Sequence, residues 1–170
     1  MSISTTIKSI QDIMRKDVGV DGDAQHIGQL VWMLFMKIFD DREQEWELFY
    51  DDYKSPIPEN LRWRNWAADP EGMTGDELKG FIDNTLFPGL QNLEPAGDDY
   101  RGVVIRNVFE DAYNYMKSGQ LMRQVINKLQ DGINFNKSAE RHELGDMYEQ
   151  ILKDLQSAGN AGEFYTPRAV

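Results

Sequence analysis

Between Ile27 and Phe39 the only strongly polar residues are Gln29 and Lys37. A stretch so apolar has to be covered on nearly all sides, so the chain must build its other elements around it. It falls short of the roughly 20 apolar residues that cross a bilayer, and it reads as a core helix. Ile27, Leu30, Val31, Leu34, Phe35, Ile38 and Phe39 recur at helical spacing and are expected to face inward, with Trp32, Met33 and Met36 extending the apolar surface round the cylinder. Asp23 is the expected N-cap. The helix runs into Asp40-Asp41-Arg42-Glu43-Gln44-Glu45, where a solvated, solubilising end is expected, because successive helical carboxylates point around the axis and do not converge on a cation.

The remaining elements follow from periodicity and punctuation. Ile3, Ile7, Ile10, Ile13 and Met14 form the stripe of a short amphipathic helix ending near Val18-Gly19. Residues 53 to 75 carry Pro56, Pro58, Pro70 and Gly72 and form a long irregular excursion, which Trp63 and Trp66 are expected to pack down onto the domain. Thr74-Gly75-Asp76-Glu77 has capping-box form ahead of Leu78, Phe81, Ile82 and Leu86, with Pro88-Gly89 as the stop. A helix is expected from about Gly102 to Met116 and another from Ser118 to Gly132, then a short extended piece at Ile133-Asn134-Phe135. Ser138 opens a last helix with Leu144, Tyr148, Ile151, Leu152 and Leu155. The fold class is mainly α, an irregular helical bundle with long loops.

Composition excludes several chemistries. With no cysteine there is no disulfide, thiolate metal site or cysteine nucleophile, which fits a cytoplasmic protein. The start of the chain is polar and has no signal peptide pattern. Walker, nucleophile-elbow and His-Glu-x-x-His motifs are all missing, and the only histidines, His26 and His142, are far apart in sequence, so no metal is assigned. A formal charge of −11 argues against indiscriminate binding to nucleic acid. Residues 101 to 141 nevertheless hold seven basic against four acidic side chains, and Lys117, Arg123 and Lys128 are the candidates for touching DNA phosphates.

The end of the sequence is the most telling part. Leu144-Gly145-Asp146-Met147-Tyr148 and then Gly162-Glu163-Phe164-Tyr165-Thr166-Pro167-Arg168 closely resemble the modification (methyltransferase) subunit of type I restriction-modification systems. Leu34 to Arg42 and Val108-Phe109-Glu110-Asp111-Ala112 extend the likeness over most of the chain. The resemblance implies a helical N-terminal domain over 1–158, then over 159–170 a linker and the opening of an S-adenosylmethionine-binding segment that leads towards an α/β methyltransferase domain beyond the chain. Glu163, Phe164, Tyr165, Thr166, Pro167 and Arg168 would line the cofactor pocket, in which a hydroxyl and backbone amides suit the methionine end and aromatic rings the apolar parts.

The Asn-Pro-Pro-aromatic motif that grips a flipped adenine is not present; Asp69-Pro70-Glu71 lacks the second proline and the aromatic. The chain is therefore expected to hold no catalytic residue, to bind no cofactor alone and to transfer no methyl group alone. By resemblance its partners are a specificity subunit, a second modification subunit, a restriction subunit and DNA in the assembled complex, with no membrane. The alternative is a free-standing acidic helical interaction module or DNA mimic.

Overall fold

The computed structural model describes residues 3–95, 97, 99–136 and 142. The expected helix after Ser138, except His142, and the Glu163 to Arg168 segment lie outside the described residues. Seven helices and no strand occur among the described ones: α1 Ile3–Met14, α2 Asp23–Phe49, α3 Trp63–Trp66, α4 Gly75–Phe81, α5 Phe87–Gln91, α6 Tyr100–Asp111 and α7 Gly119–Gly132. A 3-10 turn, Glu59–Leu61, precedes α3, and a π turn, Ile82–Leu86, joins α4 to α5.

The organising helix is α7. Its Met122, Val125, Ile126 and Leu129 are fully buried, and both α1 and α4 lie along it. The isoleucine stripe of α1 packs there as its spacing predicts. Ser118 caps α7, its hydroxyl accepting the Leu121 N–H at 3.1 Å. At the crossing with α4 the backbones nearly touch: a Cβ on Gly119 would lie 1.7 Å from the Gly75 carbonyl oxygen.

Helix α2 departs from expectation in three ways. Gly22, not Asp23, occupies the N-cap position, without a side-chain cap. The deepest residues are Leu30, Trp32, Met33 and Met36, while Val31 is 41% exposed and Leu34, Phe35, Ile38 and Phe39 are only partly buried. A helix apolar all round does not itself select its inner face; Phe87 and Phe109 do, stacking edge-on to Trp32 with centroids at 4.9 and 6.3 Å. Finally, the helix continues through its charged segment to Phe49, and Asp40, Asp41 and Glu43 are buried.

Two other boundaries move. Pro88 does not stop its helix, which runs on to Gln91 through the π turn, where the Phe87 N–H donates to the Ile82 carbonyl. Widening the turn ahead of Pro88 accommodates a ring that has no N–H to give. Helix α6 begins at Tyr100, capped by Asp99, and stops at Asp111, five residues short of Met116. Residues 112–118 instead form a non-helical strap. Trp63 and Trp66 pack inward, their indole N–H groups donating to Gln130 Oε1 at 2.8 Å and to the Leu61 carbonyl at 2.9 Å.

Candidate nucleic-acid interface

Alternation governs the strap: Asn114 and Met116 are buried, whereas Tyr113 and Lys117 are exposed. Polar side chains from distant elements pin it. Gln29 on α2 donates to Asn114 Oδ1 at 2.9 Å and accepts the Tyr115 N–H at 2.7 Å. Asn114 Nδ2 donates to Asp83 Oδ1 at 2.9 Å. Asp17, 4% exposed, accepts the N–H groups of Lys117 and Ser118 at 2.9 Å each. Those bonds satisfy backbone groups that a helix would have paired internally.

Between the strap and the α4–α5 segment lies a cleft of about 320 Å³. Phe87, Pro88 and Ala112 supply apolar lining; Lys79, Asp83, Gln91, Tyr113, Asn114 and Lys117 supply the rest. Lys79 and Asp83 form an ion pair. Lys117 takes part in none of the ion pairs found among the described residues; its Nζ lies 5.8 Å from the Tyr113 ring centre.

The three sequence candidates for DNA contact therefore separate. Lys117 and Lys128 are exposed, eleven residues apart in the chain, Lys117 on the strap and Lys128 on α7. Arg123 is withdrawn from the set. It is 6% exposed and its guanidinium is consumed indoors, donating to the carbonyls of Met73, Ala67, Asp69 and Trp66 at 2.8 to 3.1 Å. Burial pushes its pKa down, only partly countered by Asp69. It is the clamp that folds the 66–73 loop onto α7, and its burial withdraws the guanidinium from any phosphate outside. Arg106 is also engaged, donating to the Leu93 carbonyl. Arg101 lies over the rings of Tyr53 and Trp46, 4.9 and 5.5 Å from their centres. Lys137 and Arg141 fall outside the described residues.

The acidic end of α2 is likewise not a solubilising face. Asp40, Glu43 and Glu47 lie three and four residues apart, hence on one side of the helix, and meet two arginines from the irregular excursion. Arg64 bonds Asp40 at 3.0 Å and Glu47 at 2.8 Å; Arg62 bonds Glu47 at 3.0 Å and pairs with Glu43 at 3.4 Å. Lys37 pairs with Asp41 at 2.5 Å, and Asp41 also accepts the Phe135 N–H at 3.0 Å. Burial raises the Tyr53 phenol, and its bond to Glu43 at 2.7 Å raises it further. Paired in this way, the carboxylates hold the excursion to α2. Among the described residues no group of three or more acidic or histidine side chains is placed to hold a metal ion.

Sequence reasoning did not single out Lys79, Asp83, Gln91, Tyr113 or Asn114 as a site. The one available signal was Lys117 beside aromatic Tyr113 and Tyr115.

The HsdM N-terminal domain family matches residues 3–129, and the N-6 DNA Methylase family matches residues 139–170. The type I restriction enzyme EcoEI methylase subunit of Escherichia coli is 64% identical over 171 residues, covering all of this chain and 35% of that relative. The StySJI methylase subunit of Salmonella typhimurium is 26% identical over 84% of this chain and 24% of its own length. The chain thus spans about a third or less of these relatives. Among solved structures, a modification subunit assigned to a type I restriction enzyme of Vibrio vulnificus YJ016 superposes with a TM-score of 0.80 at 38% identity, over 97% of this chain and 37% of that one. A chain from structural work on complex assembly and conformational transition of the type I R-M system gives 0.78 at 32% identity, over 98% of this chain and 33% of that one.

Proposed function

We propose that this chain, which belongs to the HsdM N-terminal domain family, serves an adenine-N6 DNA methylase as its helical entry domain, holding the type I complex together and helping to engage DNA. The observation that carries this reading is the order of matches along one chain, the HsdM domain over 3–129 and then the methylase family over 139–170. The 64% identity to the EcoEI methylase subunit supports it. The comparisons lend nothing to a free-standing acidic module or DNA mimic.

The proposed division is 1–158 for the helical domain and 159–170 for the approach to the cofactor. S-adenosylmethionine is the proposed methyl donor of the full subunit, held partly by Glu163 to Arg168; support for this is the methylase match over those residues. The proposed partners are a specificity subunit, a second modification subunit and a restriction subunit, in the cytoplasm. No described helix is long and apolar enough to cross a membrane.

The test is made in an assembled methylase carrying this chain. Removing residues 1–136 should abolish stable assembly and site-specific methylation, while the 170-residue chain alone transfers no methyl group. In the full subunit Thr166→Ala and Tyr165→Ala should weaken cofactor binding and leave the helical domain folded. Assembly and methylation at the parent level without residues 1–136 would reject the reading.

A further inference from the structure

We propose that the cleft between the strap and the α4–α5 segment seats one phosphodiester of the DNA backbone, with Lys117 Nζ on its non-bridging oxygens and Tyr113 against the adjoining sugar. This rests on the reading of the domain as one that engages DNA. Four observations lead to it.

Charge comes first. Within a chain of net −11, the cleft lining carries Lys79 and Lys117 against Asp83, a balance of +1. Lys79 is already matched by Asp83, so the unspent charge is that of Lys117, equal and opposite to one phosphodiester.

Shape is the second. The concavity of about 320 Å³ is of small-ligand size. Its base is fixed before anything binds, because Asn114 is held from both sides by Gln29 and Asp83.

The third is the character of the walls. Lysine is depleted from the cores of protein–protein interfaces, and here a lysine without an ion-pair partner stands beside polar amides and a half-exposed tyrosine. That mixture suits a contact that fixes position on a backbone more than one that reads a protein surface.

The fourth is the π turn Ile82–Leu86, which puts Asp83 in the cleft wall. Such turns are rare and concentrate at functional sites.

The experiment uses the full methylase assembled with its partners, and measures duplex affinity over a series of salt concentrations. Lys117→Ala and Tyr113→Ala, both exposed and outside the buried core, are compared with Lys128→Ala, exposed on α7 and not part of the cleft lining. Loss of one phosphate contact should lower the slope of log affinity against log salt by about one in Lys117→Ala. Affinity should fall roughly five-fold, equally for cognate and non-cognate duplex. Tyr113→Ala should weaken binding with its slope intact.

An unchanged slope in Lys117→Ala overturns the cleft. If Lys128→Ala alone lowers the slope, the domain still engages DNA, elsewhere. If neither variant alters binding, the wider reading of DNA engagement falls too. Free deoxyadenosine monophosphate and inorganic phosphate are titrated against the same variants. A Lys117-dependent response to these with none to duplex assigns the cleft to a free phosphate ligand and overturns the proposal. Loss of subunit assembly in Lys117→Ala with the DNA slope intact assigns it to a protein partner and does the same.

Discussion

Gln29 and Asn114 meet side chain to side chain at 2.9 Å although 85 residues separate them in the chain. Both are buried, Gln29 completely, and the same glutamine accepts the Tyr115 N–H. One polar residue in the apolar stretch of α2 thus holds the strap that presents Tyr113 and Lys117. Its place in that helix is a requirement of the strap and not a tolerated blemish.

Gln29→Leu is expected to destabilise the domain by about 2–4 kcal/mol, because Asn114 Oδ1 and the Tyr115 N–H are left buried without their partner. Hydrogen exchange is the sharper readout: the Tyr115 amide should exchange much faster while the α7 amides keep their protection. Protection at Tyr115 equal to that of the parent would contradict the pinning.

Arg123→Lys is expected to cost about 2–4 kcal/mol in urea unfolding, although the charge is kept. An ammonium cannot reach the carbonyls that the guanidinium now serves from Nε and both terminal nitrogens. At temperatures where the variant stays folded, DNA affinity and its salt slope should match the parent. A reduced slope would return Arg123 to the phosphate-contacting set.

Gly119→Ala and Gly80→Ala should move stability in opposite directions. At Gly119 the new methyl would collide with the Gly75 backbone, so α4 and α7 must part, at a cost of several kcal/mol on the scale of overpacked contacts. At Gly80, inside α4, the nearest foreign atom would be Asn84 Nδ2 at 3.9 Å, and alanine should stabilise by roughly 0.5–1 kcal/mol through helix propensity. Melting temperatures of the two variants check both signs.

Acid should weaken the fold in two stages. Burial lowers the His26 pKa from its ordinary 6.5, Arg15 adds to the effect and Asp23 opposes it. The unfolded chain therefore binds more protons once pH falls below 6.5, and stability drops with it. For Glu47 burial acts to raise the pKa, but hydrogen bonds from Arg64 and Arg62 prevail and hold it below 4.5. Its contribution is present above that value and lost as pH falls through the lower, folded one, and it is modest because solvent screens a partly exposed pair. Thermal melts over this range should lose the upper stage in His26→Gln and part of the lower in Glu47→Gln. An unaltered upper stage in His26→Gln assigns it to another group.

Much of the helical framework was legible in the sequence, because it depends on local period. The isoleucines of α1, the Ser118 cap and the apolar face of α7 all recur at intervals that a helix alone turns to one side. The motif Gly162 to Arg168 pointed to the methyltransferase lineage from residue identity alone, and the family matches agree. Tertiary partners decided the rest. Asp40, Glu43 and Glu47 read as solvent-facing until Arg62 and Arg64 return from the irregular excursion to neutralise them. Arg123 and Lys117 are both single cations near a helix start, and nothing in their spacing says which is buried; four carbonyls from residues 66–73 claim Arg123 and none claims Lys117. Residues 113 to 116 continue a helical pattern, yet buried acceptors on Gln29 and Asp17 draw the strap's N–H groups out of it. Local sequence thus determined the apolar faces of α1 and α7, where the period alone turns the side chains to one side. The fate of each buried charge and amide was settled only where distant segments met, since desolvation makes a polar group's stability depend on the partner that reaches it.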